Sequence, residues 1–205
     1  MDSAISDRIR KLDGQVSVPA NRDSLLDHLK GVRIDKGLYD VYWAHDMWGL
    51  SEFYEEHKAL WQNDQNAFCN KLLQAFPYAE DPPHGSRWVG SHFTPLTNGT
   101  TDYTEWSSWF EESADLGQIR EIVGDDEQLE FVHLIHGSGA PDFFFVCLQD
   151  PNPRNPTVFG TDHETFFVEI SHKGSLLSFL QEYFITDDEL IDSAKEFIRE
   201  VIEDS

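Results

Sequence analysis

The most site-like cluster in the chain is Asp162-His163-Glu164, with His133, His136 and His172 close to it in sequence. Two carboxylates beside an imidazole are the raw material of general acid–base hydrolysis or of a metal site. Either use needs the groups to converge from elements that face each other. On an extended chain, neighbours alternate, so Asp162 and Glu164 would share a side while His163 points away. The competing reading is a tight turn, in which Asp162 accepts from backbone amides and His163 packs or bonds locally. That reading is adopted, with a hydrolase built on the three residues kept as the alternative. Gly137-Ser138-Gly139 lacks the Gly-x-Ser-x-Gly spacing of a nucleophile elbow and reads as a hairpin turn. No Gly-x-Gly-x-x-Gly, Walker-type, Cys-x2-Cys or His-Glu-x-x-His pattern occurs, so neither a cofactor nor a metal is expected. His84 and His92, on either side of Arg87-Trp88, match no ligand spacing.

These residues would be positioned by the stretch from Leu129 to Phe184. Leu129–Ile135, Asp142–Leu148, Thr157–Thr161 and Thr165–Ile170 are short aromatic and β-branched runs separated by Gly, Pro, Asn and Asp, which is the pattern of strands. A polar, Pro-rich loop spans Gln149–Pro156. Gly174–Phe184 reads as a helix capped by Ser175, with Leu176, Leu177, Leu180 and Phe184 on its apolar face.

The same stretch resembles a known family. The aromatic strand Asp142–Leu148, a loop, Val158-Phe159-Gly-Thr-Asp162-His163-Glu164, a further strand and then Ser175-Leu176-Leu177-Ser178-Phe179-Leu180 are similar to the SUKH (Smi/Knr-like) superfamily, which includes many bacterial immunity proteins. The family's helix carries Ser-Phe-x-x-Phe-Leu, and here Leu replaces the first Phe. The match covers roughly a quarter of the chain and loosens upstream, over Phe68–Gly85. It implies an α+β fold and a protein that binds rather than catalyses: a non-enzymatic immunity protein that neutralises a bacterial toxin by direct contact.

Around this centre, Ile5, Ile9 and Leu12 predict a short helix after Asp2-Ser3, ended by Gly14. Asp23-Ser24 is placed to cap a second helix through Leu25, Leu26 and Leu29, ended by Gly31. Leu38–Leu50 is aromatic and reads as part strand, part turn. A helix from Ser51 is interrupted or recapped at Asn63-Asp64 and resumes up to Pro77. Asp81–Gly85 is a turn, Arg87–Phe93 a strand and Thr94–Thr104 a loop. Glu105–Leu116 is a short helix or irregular aromatic segment at the sheet edge, and Gly124–Glu127 is a turn. Thr186-Asp-Asp-Glu189 is a capping box before Leu190, Ile191, Ala194, Phe197, Ile198 and Val201. The expectation is one domain over 1–205, an α+β fold with a mixed or antiparallel sheet flanked by helices. Its N-terminal helical part covers about 1–80, its sheet core about 86–170 and its C-terminal helices about 174–203.

Composition narrows the partners. Fifteen Lys and Arg against 38 Asp and Glu give a formal charge of −23. That balance argues against nucleic acid and anionic membranes, which need a positive surface, and favours a basic protein. A basic, nuclease-type toxin fits, since its own substrate is polyanionic. Glu111, Glu112, Asp115, Asp125, Asp126 and Glu127 are the candidate partner-binding residues, against the ordinary alternative of acidic turns in water. The charges of Asp187-Asp188-Glu189 are already explained by a helix start. An intracellular scaffold or regulatory protein would carry the same pattern. Two cysteines, Cys69 and Cys147, do not make a disulfide framework. With no basic-then-apolar leader and no membrane-length apolar run, a cytoplasmic location is expected.

Overall fold

The computed structural model describes residues 1–17, 24–35, 37–41, 49–75, 88–89, 92–112, 116–124, 129–137, 142–162, 164–165 and 168–203. Helix α1 (Ser3–Lys11) starts where the Asp2 carboxylate accepts from the Ala4 N–H at 3.0 Å. Asp13, at φ 60°, and Gly14 then turn the chain into strand β1 (Gln15–Val16). Ser24 caps α2 (Leu25–Leu29) by accepting from the Asp27 N–H, and β2 (Val32–Arg33) pairs antiparallel with β1. Strand β3 (Tyr39–Asp40) precedes α3 (Leu50–Asn63) and α4 (Gln65–Ala75). Asp64 separates those two helices and recaps the second, accepting from the Ala67 N–H at 3.0 Å.

Next come β4 (Trp88–Val89), β5 (Thr94–Leu96), α5 (Thr101–Glu112) and α6 (Gly117–Val123). The central strands are β6 (Phe131–Gly137), β7 (Phe143–Cys147), β8 (Thr157–Thr161) and β9 (Ser171–Ser175). Helix α7 (Leu176–Glu182), strand β10 (Phe184–Ile185) and α8 (Asp187–Phe197) close the chain, α8 running on into a π-helical turn, Ile198–Glu203. No described helix is long and apolar enough to cross a membrane.

Among the described residues the main sheet has six strands, all antiparallel, in the order β4–β6–β7–β8–β9, with β5 also pairing β6. Strands β4 and β5 share one side of β6, at its two ends, so together they make an interrupted edge. Strand alternation gives the sheet two apolar faces. Val132, Leu134, Phe144, Val146 and Val158 pack under α1 and α7. Phe131, Phe145, Cys147 and Phe159 face Ile119 of α6, Leu96 and Ile170. A register shift between His133 and Ile135 lets Leu134 and Ile135 both enter the first core. Fully buried side chains such as Phe145, Phe159 and Phe179 each stabilise the fold by about 1.5–3 kcal/mol.

A third cluster lies between helices: Tyr54, Trp61, Phe68, Cys69 and Leu72 of α3 and α4 against Leu190, Ala194 and Ile198. The two-residue ladder of β3 with β10 stands between this cluster and the sheet core. Leu38 and Phe184 belong to the sheet core, while Tyr39 and Ile185 belong to the helical one.

The α+β class with an antiparallel sheet flanked by helices is the observed one, and several local expectations are corrected. Thr94–Thr104 is not a loop. Thr94–Leu96 is edge strand β5, where Pro95 is tolerated because its missing N–H need not serve a second neighbour. Helix α5 starts at Thr101, a turn earlier than Glu105, because Thr100 Oγ1 accepts from the Tyr103 N–H at 3.1 Å. Helix α6 was not expected. Of Thr165–Ile170, the described part is turn and bend rather than strand: Val168 and Glu169 both donate to the Thr165 carbonyl, and Val168 is 53% exposed. The last strand of the sheet is Ser171–Ser175, so the sheet extends beyond 170. Phe184 is not on the α7 face; Leu176, Phe179 and Leu180 are, and Phe184 is buried from β10. The expected turns at 81–85 and 125–127 lie outside the described residues.

Candidate functional site

Three strand ends meet at one end of the sheet. The register sets Phe143 opposite Thr161, Phe144 opposite Gly160, and Gly160 opposite Ser171. This brings together the start of β7, the end of β8 and the start of β9. A cleft of about 280 Å³ opens there, lined by Phe144, Gly160 and Ile170 together with Gln118, Asp142, Thr161, Asp162, Thr165, Glu169, Ser171 and Lys173. Its size falls just under the usual range for small-molecule pockets, and its rim is mostly polar.

Asp162 belongs to this cleft, but its carboxylate is turned onto the chain. Oδ1 accepts from the Glu164 N–H at 2.9 Å, the Thr165 N–H at 2.7 Å and the Thr165 hydroxyl at 2.8 Å. This is an Asx-type turn, which substitutes a side-chain oxygen for a backbone acceptor. Glu164 is exposed and not part of the cleft lining, and His163 lies outside the described residues. The nearby histidines do not gather at the turn. His133 lies in β6 with its ring 5.3 Å from that of Phe143, whereas His172 is exposed on β9. Three inter-strand steps, about 14 Å, separate those strands. His136 is also on β6, its backbone opposite Phe143. Among the described residues no group of three or more His, Cys, Asp or Glu is arranged to hold a metal ion.

The cleft residues that sequence reading missed are Asp142, Glu169, Lys173 and Gly160. The available signal was Gly160, a glycine inside an apolar strand pattern, which marks close approach of another group. A Cβ there would lie 2.8 Å from Lys173 Cε and 2.9 Å from the Phe144 ring. The stem of Lys173 is therefore laid directly over the strand.

The candidate acidic residues sit elsewhere. Glu111 and Glu112 are the last residues of α5, with side chains outside the described set; Asp115, Asp125, Asp126 and Glu127 lie outside it altogether. In the sequence these six residues flank α6, whose Ile119 is buried against the sheet. Their setting is strongly one-signed. From residue 88 to residue 153 the chain has twelve Asp and Glu and one base, Arg120. Helix α1, over the opposite face, ends instead on Arg8, Arg10 and Lys11.

Cys69 and Cys147 are both buried and neither is in a disulfide. Burial pushes the Cys69 thiol above its ordinary value, with Lys195 acting in the opposite direction. Such a thiol is inert compared with an exposed thiolate.

Compared with protein-family models, with curated proteins and with solved structures, the chain has no match.

Proposed function

We propose that this is a binding protein that neutralises a basic protein toxin by direct contact, in the manner of the SUKH-like immunity proteins its central stretch resembles. The observation that carries the reading is the charge segregation. Twelve acids against one base occupy the segment that supplies α5, α6, β6 and β7, while on α1, over the other face of the sheet, Arg10 and Lys11 are exposed near its end. An acidic face steers a basic partner and speeds encounter, and it repels polyanions that would compete for the same surface. The engagement of Asp162 by its own turn also favours binding over hydrolysis at the triplet.

The test uses the full-length protein and the product of the adjacent gene. Binding measured by titration calorimetry should weaken by at least about tenfold when Glu111, Glu112, Asp125 and Asp126 are together changed to Lys, and should weaken steadily as salt rises. A complex indifferent to both changes removes the acidic face from the account. A gene neighbour that does not bind at all removes the toxin.

A further inference from the structure

The cleft at the end of β7, β8 and β9 carries both signs of charge. Lys173 approaches from β9, half-buried, its stem resting on Gly160. Glu169 approaches from the turn that precedes the same strand. Neither side chain forms an ion pair or a side-chain hydrogen bond among the described residues, although both line one cleft. Opposite charges on flexible side chains around a common cavity ordinarily collapse onto each other unless the backbone holds their roots apart. Here it does. The Val168 and Glu169 amides donate to the Thr165 carbonyl at 2.7 and 3.1 Å, which fixes the turn bearing Glu169. The Gly160 surface fixes the path of Lys173. A strand-interior glycine is destabilising relative to alanine, and at Gly160 the space so left is occupied by the lysine stem and the Phe144 ring.

We infer that this cleft binds a small zwitterion, a ligand with an ammonium group and a carboxylate on one short carbon chain. The carboxylate pairs with the Lys173 ammonium and the ligand ammonium pairs with the Glu169 carboxylate. Phe144 and Ile170 are the apolar members of the lining, and the cleft of about 280 Å³ has room for the methylenes between the two charges. A simple anion meets Lys173 but also the negative rim of Asp142, Asp162 and Glu169; a simple cation is drawn to that rim but leaves the Lys173 ammonium without a counter-charge. A ligand with both groups engages both walls at once. The inference does not depend on the toxin reading, since it invokes no protein partner.

The experiment is a ¹H–¹⁵N NMR titration of the whole protein with glycine, β-alanine, 4-aminobutyrate and 5-aminovalerate, with acetate and methylammonium as single-charge controls. At least one of the four should bind about tenfold tighter than either control, with shifts centred on the amides of Thr161, Thr165, Glu169 and Lys173. Its chain length then reports the spacing of the two charges. Lys173→Met keeps the stem and removes the charge, and Glu169→Gln changes only an exposed carboxylate; each should abolish the preference over the controls. The inference is overturned if no ω-amino acid outbinds acetate and methylammonium, or if Glu169→Gln, with its spectrum otherwise unchanged, binds as the parent does. Because no protein partner enters the experiment, its failure leaves the acidic-face reading standing, and the reverse also holds.

Discussion

Arg8 is 9% exposed, and the chain surrounds it with acceptors. Its Nε donates to the Leu180 carbonyl at 3.0 Å, its Nη2 to the Phe184 carbonyl, and its guanidinium meets the Glu189 carboxylate at 3.4 Å. One side chain on α1 thus ties together the end of α7, strand β10 and the first turn of α8. Replacing it with Met removes the guanidinium donors from the Leu180 and Phe184 carbonyls and one of the donors to the Glu189 carboxylate. Arg8→Met should cost about 2–4 kcal/mol in urea unfolding. Glu189 has a second duty, accepting from the Thr186 N–H at 2.6 Å to complete the capping box. Burial pushes its carboxyl up, but the Thr186 N–H and Arg8 together outweigh that and hold it below its ordinary value. A lowered carboxyl contributes stability above the ordinary carboxylate range and loses it as pH falls through its folded value. The effect is modest, because the Glu189 side chain is half exposed. Glu189→Gln should therefore lower stability at neutral pH and flatten its decline between about pH 5 and pH 3. Parallel pH profiles for the two proteins would sink this assignment.

At the scale of elements, β8 and β9 meet under the tightest constraint in the sheet. Gly160→Ala places a methyl group against Phe144 and the Lys173 stem, and in a packed sheet interior this should cost about 1–3 kcal/mol. Thermal melting measures it; an unchanged midpoint would mean that Lys173 yields freely and that its course over Gly160 is incidental. This neighbourhood also shows what the sequence can and cannot convey. Runs such as Phe143–Cys147 and Thr157–Thr161 announce themselves because both of their faces are buried, and α8 does so because cap, period and acidic first turn agree. Strand β9, Ser-His-Lys-Gly-Ser, gives no such signal. It is an edge strand with only partial burial, so polar residues suffice. Thr165–Ile170 has the composition of a strand, but the Asx turn at Asp162 and the bonds to the Thr165 carbonyl bend it away. The cleft was legible at Asp162 and hidden at Asp142, Gly160, Glu169 and Lys173, because only the antiparallel register brings them to one end of the sheet.

For the molecule as a whole, the dominant quantity is a charge of −23 on 205 residues. Among the described residues only a few ion pairs offset it, and those of Arg10, Lys30, Arg33 and Lys58 are local contacts with neighbouring acids at the surface, each contributing about 0–1 kcal/mol. Self-repulsion in the folded state exceeds that in the expanded chain, so screening should help. Raising sodium chloride from about 0.01 M to 0.15 M shortens the Debye length from about 30 Å to 8 Å and should raise the melting temperature measured by calorimetry, opposite to the weakening expected for the acidic-face complex. A melting temperature that falls with salt would show that attractive pairs outweigh the repulsion. The β3–β10 ladder bears on how that melting proceeds. With Leu38 just before it and Phe184 turned to one side, and Tyr39 and Ile185 to the other, it is a party wall between two interiors. Neither room can be emptied without stripping the plaster from the other, so the helical annex and the sheet collapse in concert.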